Sequence, residues 1–295
     1  MGNPAEADFT NDGGVAPPPY STVDTGAQRP PAPSYEAVPG ASSSKIAGVK
    51  NRFPQSLNGY FPKSATSKAF FLGEHADQPL FVATLHSGLT SNPLVQLHSG
   101  PNLSDPLVAT ANNEKRWSSG RTTVIQILPA AASTLAGADS ASGSGAAPSQ
   151  EPEKIIMKQA HILKNVTYGF SVEVGLGKDL RVENFEWRGS RGGEVRELDE
   201  YARGYKLVRL GGEGAGSGGE RATRAANTTS DGKEVVAVFA QNTKWSMNKV
   251  FKFQFLESGA TGVLGDKFAL AALMTGLKIW YIDFILQQSN AGAGA

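Results

Sequence analysis

From about residue 57 to residue 256 the chain alternates short apolar runs with breaks of Gly, Pro, Asn or Asp. Runs rich in β-branched and aromatic residues fall near 57–61, 69–74, 80–86, 94–98, 106–110, 122–128, 154–161, 167–174, 180–187, 204–210, 234–240 and 249–256. Such runs bounded by turn residues predict strands. In VFKFQFL the period is two: Phe251, Phe253 and Phe255 share one face, against Val250, Lys252, Gln254 and Leu256 on the other. That is the pattern of a half-buried strand. Twelve short strands predict a closed antiparallel barrel, which leaves no exposed strand edge.

One run breaks the pattern. Phe268–Leu286 reads FALAALMTGLKIWYIDFIL, and Asp266 just before it offers a side-chain N-cap. Phe268, Ala272, Thr275, Ile279, Ile282 and Leu286 follow one helical stripe; Leu270, Leu273, Leu277, Tyr281 and Phe284 follow another. Both stripes are apolar. A helix apolar on every side must be buried in protein or in lipid. The run is 19 residues long, close to the roughly 20 of a bilayer span. Lys278 and Asp283 interrupt it, five residues apart and on different helix faces, and a charge near the bilayer centre costs on the order of 3 kcal/mol. The expectation is a mainly β fold, a barrel of about 12 strands around a central C-terminal helix. A tail anchor is the alternative, since only nine residues follow the run.

The closing stretch FKFQFLESGATGVLGDKFALAALMTGLKIW, after a long series of strands, resembles the tubby C-terminal-like superfamily of tubby-like proteins, phospholipid scramblases and LURP-one-related proteins. The blocks EWRGS, GYKLVRL and EVVAVFA resemble the later strands of uncharacterised fungal members. The resemblance covers about residues 50–288 and implies a 12-stranded barrel around a central hydrophobic helix. It also raises the prospect of binding to anionic phospholipid headgroups. The cysteine-rich and calcium-site features of scramblases have no counterpart here.

Composition changes the picture at the N-terminus. Residues 1–45 hold much of the proline and almost no aliphatic pattern, so they cannot bury enough apolar surface to fold and are expected to be disordered. Pro17-Pro18-Pro19-Tyr20 within that arm is a PPxY motif, the ligand of WW domains. A proline run holds a polyproline II helix in advance and loses little entropy on docking into an aromatic groove. A second, imperfect copy carries Pro33 and Tyr35. Two copies on one flexible arm would engage tandem WW domains with avidity. WW-domain proteins, including HECT-type ubiquitin ligases, are therefore the expected partners. Gly2 follows Met1, but Glu6 stands where N-myristoylation wants Ser or Thr.

The barrel is expected over 46–290, with flexible insertions at 130–152 and 211–232 rich in Gly, Ser and Ala, and a disordered tail at 291–295. Lys plus Arg is 28 against 27 Asp plus Glu, so net charge gives no argument for nucleic acid. There are no cysteines, which excludes disulfides and thiolate chemistry. The polar N-terminus lacks a signal-peptide core, and the expected location is cytoplasmic, peripheral at membranes if lipid is bound.

Basic residues recur in the later strands: Arg188, Arg191, Lys206, Arg209, Lys249 and Lys252. Gathered on one side of a barrel they would form an anionic headgroup site, with Trp187 and Trp245 at its edge. The competing reading is an ordinary solvated face, because Glu183, Glu186, Glu194 and Glu197 are interspersed. GGEGAGSGG lacks the helix of a dinucleotide loop and the Lys-Ser/Thr of a P-loop. His75, His86, His98 and His161 are scattered without metal-ligand spacing, and Ser87 and Ser99 lie in no nucleophile elbow. No metal, cofactor or catalytic constellation is expected. The sequence points to a non-enzymatic binding or adaptor protein. Its alternatives are a peripheral phosphoinositide-binding protein and a tail-anchored or scramblase-like membrane protein.

Overall fold

A computed structural model describes residues 53–62, 69–87, 90–115, 121–129, 151–162, 165–199, 203–211, 227–241 and 250–292, with side chains described as far as Leu286. The PPxY arm and its Pro17, Pro18, Pro19, Tyr20, Pro33 and Tyr35 lie outside these residues, as do Lys249, Trp245 and the insertion core at 130–150.

Twelve strands form one closed barrel: β1 (Ser56–Tyr60), β2 (Ala69–Gly73), β3 (Phe81–Leu85), β4 (Val95–His98), β5 (Leu107–Asn113), β6 (Thr122–Ile127), β7 (Glu153–Ile162), β8 (Asn165–Val174), β9 (Arg181–Ser190), β10 (Arg203–Arg209), β11 (Val235–Gln241) and β12 (Phe251–Phe255). Every strand pairs antiparallel with its neighbours in sequence, and β1 closes on β12 through Ser56↔Gln254 and Gly59↔Phe251. The topology is an up-and-down meander without a free edge. Each of the twelve runs read from the sequence is a strand. The predicted alternation in β12 holds, with Phe251, Phe253 and Phe255 buried and Lys252 and Gln254 half-buried.

Helix α1 (Gly193–Leu198) lies outside the barrel on β10, β11 and β12, with Val195 packed on Ala240. After the short α2 (Glu257–Ala260), helix α3 (Gly265–Gly292) threads the bore. From Phe268 to Tyr281 its side chains are almost all buried, joined to the inward residues of the strands in one core. Trp280 stacks on Phe70 with ring centroids 4.8 Å apart and meets Phe251 edge-on at 5.8 Å. The apolar run is therefore the barrel's core. Its two polar interruptions have separate partners within the protein.

The helix differs from its expected bounds at both ends. It opens at Gly265, so Asp266 stands in its first turn and does not precede it as a cap. Gly265 has φ +81°, a conformation that L side chains rarely adopt, and a Cβ there would crowd the Gly175 carbonyl oxygen. Lys267 then ties the entry to β7 and β8, bonding Glu153 at 2.6 Å and Glu173 at 2.8 Å. At the far end the helix continues to Gly292, past Leu286 and into the segment read as tail. Ile285 and Leu286 are exposed, so the enclosed part of the helix ends before them. QQSNA contains neither Pro nor Gly, so nothing in it breaks the helix outright before Gly292.

Part of the segment read as an insertion at 211–232 lies among the described residues. Residues 227–232 form an ordered turn held by Thr229 Oγ1, which donates to Lys233 O at 3.0 Å, and by Asn227 Nδ2, which donates to Glu257 Oε1 at 2.8 Å. Short polar side chains that bond nearby groups fix a turn that composition alone reads as linker.

Candidate functional site

The side chain of Trp187 points into the bore and is fully buried, packed edge-on to Phe239. It does not border a surface patch. The reason is parity: Phe185 and Trp187 face inward, so Glu186 and Arg188 face outward.

The basic residues expected to gather around an anion are mostly committed to carboxylates. Arg188 bonds Glu186 at 2.6 Å and Asp231 at 3.0 Å. Lys206 meets Glu194 of α1 at 3.1 Å. Arg209 bonds Glu183 at 2.5 Å and Glu234 at 3.2 Å. Lys252 meets Asp199 at 3.2 Å and donates to Leu198 O at 2.7 Å. Helix α1 thus lies over the outer face and takes up two of the cations. The Arg209 hydrogen bond is the main cause that holds the Glu183 carboxyl below its usual range. Asp231 is brought down to about 2, chiefly by a hydrogen bond from Thr229 and then by Arg188. Four of the six predicted lipid residues therefore form a set of ion pairs, and Lys249 lies outside the described residues.

Arg191 is different. It is exposed and, among the described residues, meets no carboxylate within 4 Å; the same holds for Arg203, which the sequence reading passed over. Both border a cleft of about 490 Å³ at the end of the barrel where α3 emerges. Tyr205, Gln241 and Asp283 supply further polar groups, with Asn165 and Ser190 at the rim. Gly204 lets β10 pass close to β11 there, since a Cβ would collide with the Phe239 carbonyl oxygen.

Asp283 stands on α3 one turn before the exposed Leu286. Its Oδ2 accepts from Gln241 Nε2 at 2.5 Å and from the Tyr205 hydroxyl at 3.4 Å. Burial pushes its carboxyl up, against those hydrogen bonds and the nearby Arg203. Burial and the charge of Asp283 push the Tyr205 hydroxyl up, and the same two causes raise Tyr168 to about 12. The sequence signal was present: a carboxylate in an otherwise apolar helix asks for a reason.

Lys278 is buried in the bore at 1% exposure, with Asn113 Oδ1 3.2 Å from its Nζ. Burial depresses it to about 8. The histidine expectation was structural. His86 offers its backbone carbonyl to the Tyr281 hydroxyl at 2.5 Å, and His98 Nδ1 lies 2.8 Å from Asp105 O. No cluster of three metal-ligating side chains occurs among the described residues.

No family model, no curated protein and no solved structure matches the chain.

Proposed function

We propose that this is a non-enzymatic binding protein, a filled barrel that presents its recognition surfaces on the outside and docks WW domains through its N-terminal arm. One observation carries the barrel half of the reading: α3 occupies the bore from Phe268 to Tyr281, so recognition falls to the outer surface and the mouth. The arm half rests on Pro17-Pro18-Pro19-Tyr20, with Pro33 and Tyr35 as a weaker second copy. The barrel would then hold a client while the arm recruits a WW-domain partner such as a HECT-type ubiquitin ligase. Kinship with the tubby-like superfamily belongs to the same reading. Twelve strands around one apolar helix is the architecture that the resemblance implied, and a shared fold alone carries no function.

The peripheral phosphoinositide reading has less support. Arg188, Lys206, Arg209 and Lys252 are occupied by carboxylates, and a paired cation attracts a headgroup weakly. Burial of the helix in the bore weighs against the tail-anchored reading.

The test is capture of partners from a lysate by the intact chain and by a Tyr20→Ala/Tyr35→Ala variant. A WW-domain ubiquitin ligase lost only with the variant supports the adaptor reading. Identical partners in both samples overturn it.

A further inference from the structure

We propose that the mouth cleft binds a compact zwitterion of the amino-acid class, its anionic end held by Arg191 and Arg203 and its ammonium end by Asp283. The proposal stands apart from WW docking by the arm, and Tyr20→Ala leaves it untouched.

The arginines come first. Strand β9 ends at Ser190, which pairs with Gly204 of β10, so Arg191 follows the strand in sequence while Arg203 opens β10 and pairs with Gln241. Like charges facing each other across a ladder repel. On this ladder Lys206 faces Arg188, and Glu194, Glu186 and Asp231 neutralise the pair. Arg191 and Arg203 have no described carboxylate within 4 Å, although Asp283 is close enough to Arg203 for the two charges to act on each other. Two guanidinium groups beside one cleft offer charge-assisted donors to a carboxylate or phosphate.

Asp283 supplies the opposite charge. Both of its hydrogen bonds, from Gln241 and Tyr205, fall on Oδ2. Oδ1 accepts none among the described residues, and Asp283 is one of the residues that line the cleft. No cation lies within 4 Å of this carboxylate among the described residues. A half-buried carboxylate on the wall of a cleft is matched by an ammonium donor.

The combination selects the ligand. A dianion would gain the arginines and be repelled by Asp283. A simple amine would gain Asp283 and be repelled by the arginines. A molecule with both charges a few bonds apart satisfies all three groups, and a cleft of about 490 Å³ admits it with water to spare.

The test is calorimetric titration of the full chain with L-serine and with O-phosphoethanolamine, with acetate and ethylammonium as single-charge controls. The expected result is binding of at least one zwitterion, with both controls about tenfold weaker or more, a step worth about 1.4 kcal/mol. Which zwitterion binds tells whether the anionic end is a carboxylate or a phosphate. Arg203→Gln and Asp283→Asn should each weaken it about tenfold, since each removes a charge-assisted contact. Thermal melts show whether the variants fold, and Arg191→Gln, at an exposed position, gives a third reading should Asp283→Asn prove unstable. Absence of zwitterion binding overturns the proposal. So does acetate binding as tightly as serine, or a folded Asp283→Asn that binds as well as the unaltered chain.

Discussion

The indole N–H of Trp187 donates to the hydroxyl of Thr275 at 2.8 Å, a contact spanning 88 residues that fastens β9 to the helix in the bore. Thr275 Oγ1 in turn lies 2.8 Å from Ala271 O and 3.0 Å from Ala272 O, in position to donate back to its own helix. All of these atoms are buried, so the indole proton has no water to turn to. The contact also fixes which face of an almost uniformly apolar helix meets β9, which hydrophobicity alone leaves undetermined.

Thr275→Val keeps the shape of the side chain and removes the acceptor. It should cost about 1–3 kcal/mol, the penalty of a buried donor without a partner. Thr275→Ser keeps the hydroxyl and should cost less. Urea unfolding of the two variants decides it. Equal losses would mean that the hydroxyl contributes nothing beyond volume.

Lys278 carries a prediction in pH. Its folded value of about 8 lies below its ordinary value of 10.5, because burial penalises the ammonium. Between these values the unfolded chain binds the extra proton, so stability should rise as pH increases from about 8 toward 10. Below the folded value the buried charge costs the most, on the order of 3 kcal/mol at about 1.4 kcal/mol per pH unit. Lys278→Met should therefore be the more stable protein at neutral pH, and the difference should shrink on raising the pH. Paired denaturation curves at several pH values read this directly. A constant difference across the range would show that Lys278 does not titrate in that window.

Arg209 was read from the sequence as a lipid contact, and its surroundings predict a structural role. Glu183 is only 6% exposed and lies beside Arg209 and Arg181. Arg209→Met leaves that carboxylate buried with the partly exposed Arg181 alone, and should destabilise the barrel by about 3 kcal/mol, the low end for breaking a buried pair. Adding Glu183→Gln should recover part of the loss. Because Glu183 is held below its ordinary range, the pair's contribution is present above about pH 4.5 and is lost as pH falls through the folded value. Acid titration of the folded fraction, with and without Arg209→Met, checks the sign. Binding to anionic vesicles should be the same for both proteins, measured by cosedimentation where both are folded.

Much of this was legible along the chain, and the reason is local. Phe251, Phe253 and Phe255 announce an inward face by their spacing alone, and the run from Phe268 excludes a solvated helix. Even the place of Trp187 follows from parity with Phe185, a step the basic-patch reading skipped by grouping Trp187 with Arg188. What spacing does not encode is which charges meet. Lys252 finds Asp199 because α1 folds back over the barrel, and Arg188 finds Asp231 across a turn that composition reads as linker. The cleft is beyond sequence for the same reason. Arg191, Arg203, Gln241 and Asp283 come from three strand ends and a helix, brought together only when the meander closes.

The helix supplies the last prediction. It is long and apolar enough to cross a membrane, yet from Phe268 to Tyr281 it is enclosed by strands, with Lys278 and Asp283 bonded to Asn113 and Gln241. Drawing it into a bilayer would break those contacts, expose the inward aromatic faces of β2, β9, β11 and β12, and place two charges in hydrocarbon. The folded chain should therefore partition into the aqueous phase of a detergent phase-separation assay. Leu273→Asp, at the centre of the bore, should unfold the barrel and send the chain to aggregates, because it places an unpaired charge among fully buried side chains. Recovery of the unaltered chain in the detergent phase would mean that the helix leaves the barrel for lipid, and the filled-barrel reading would fail with it.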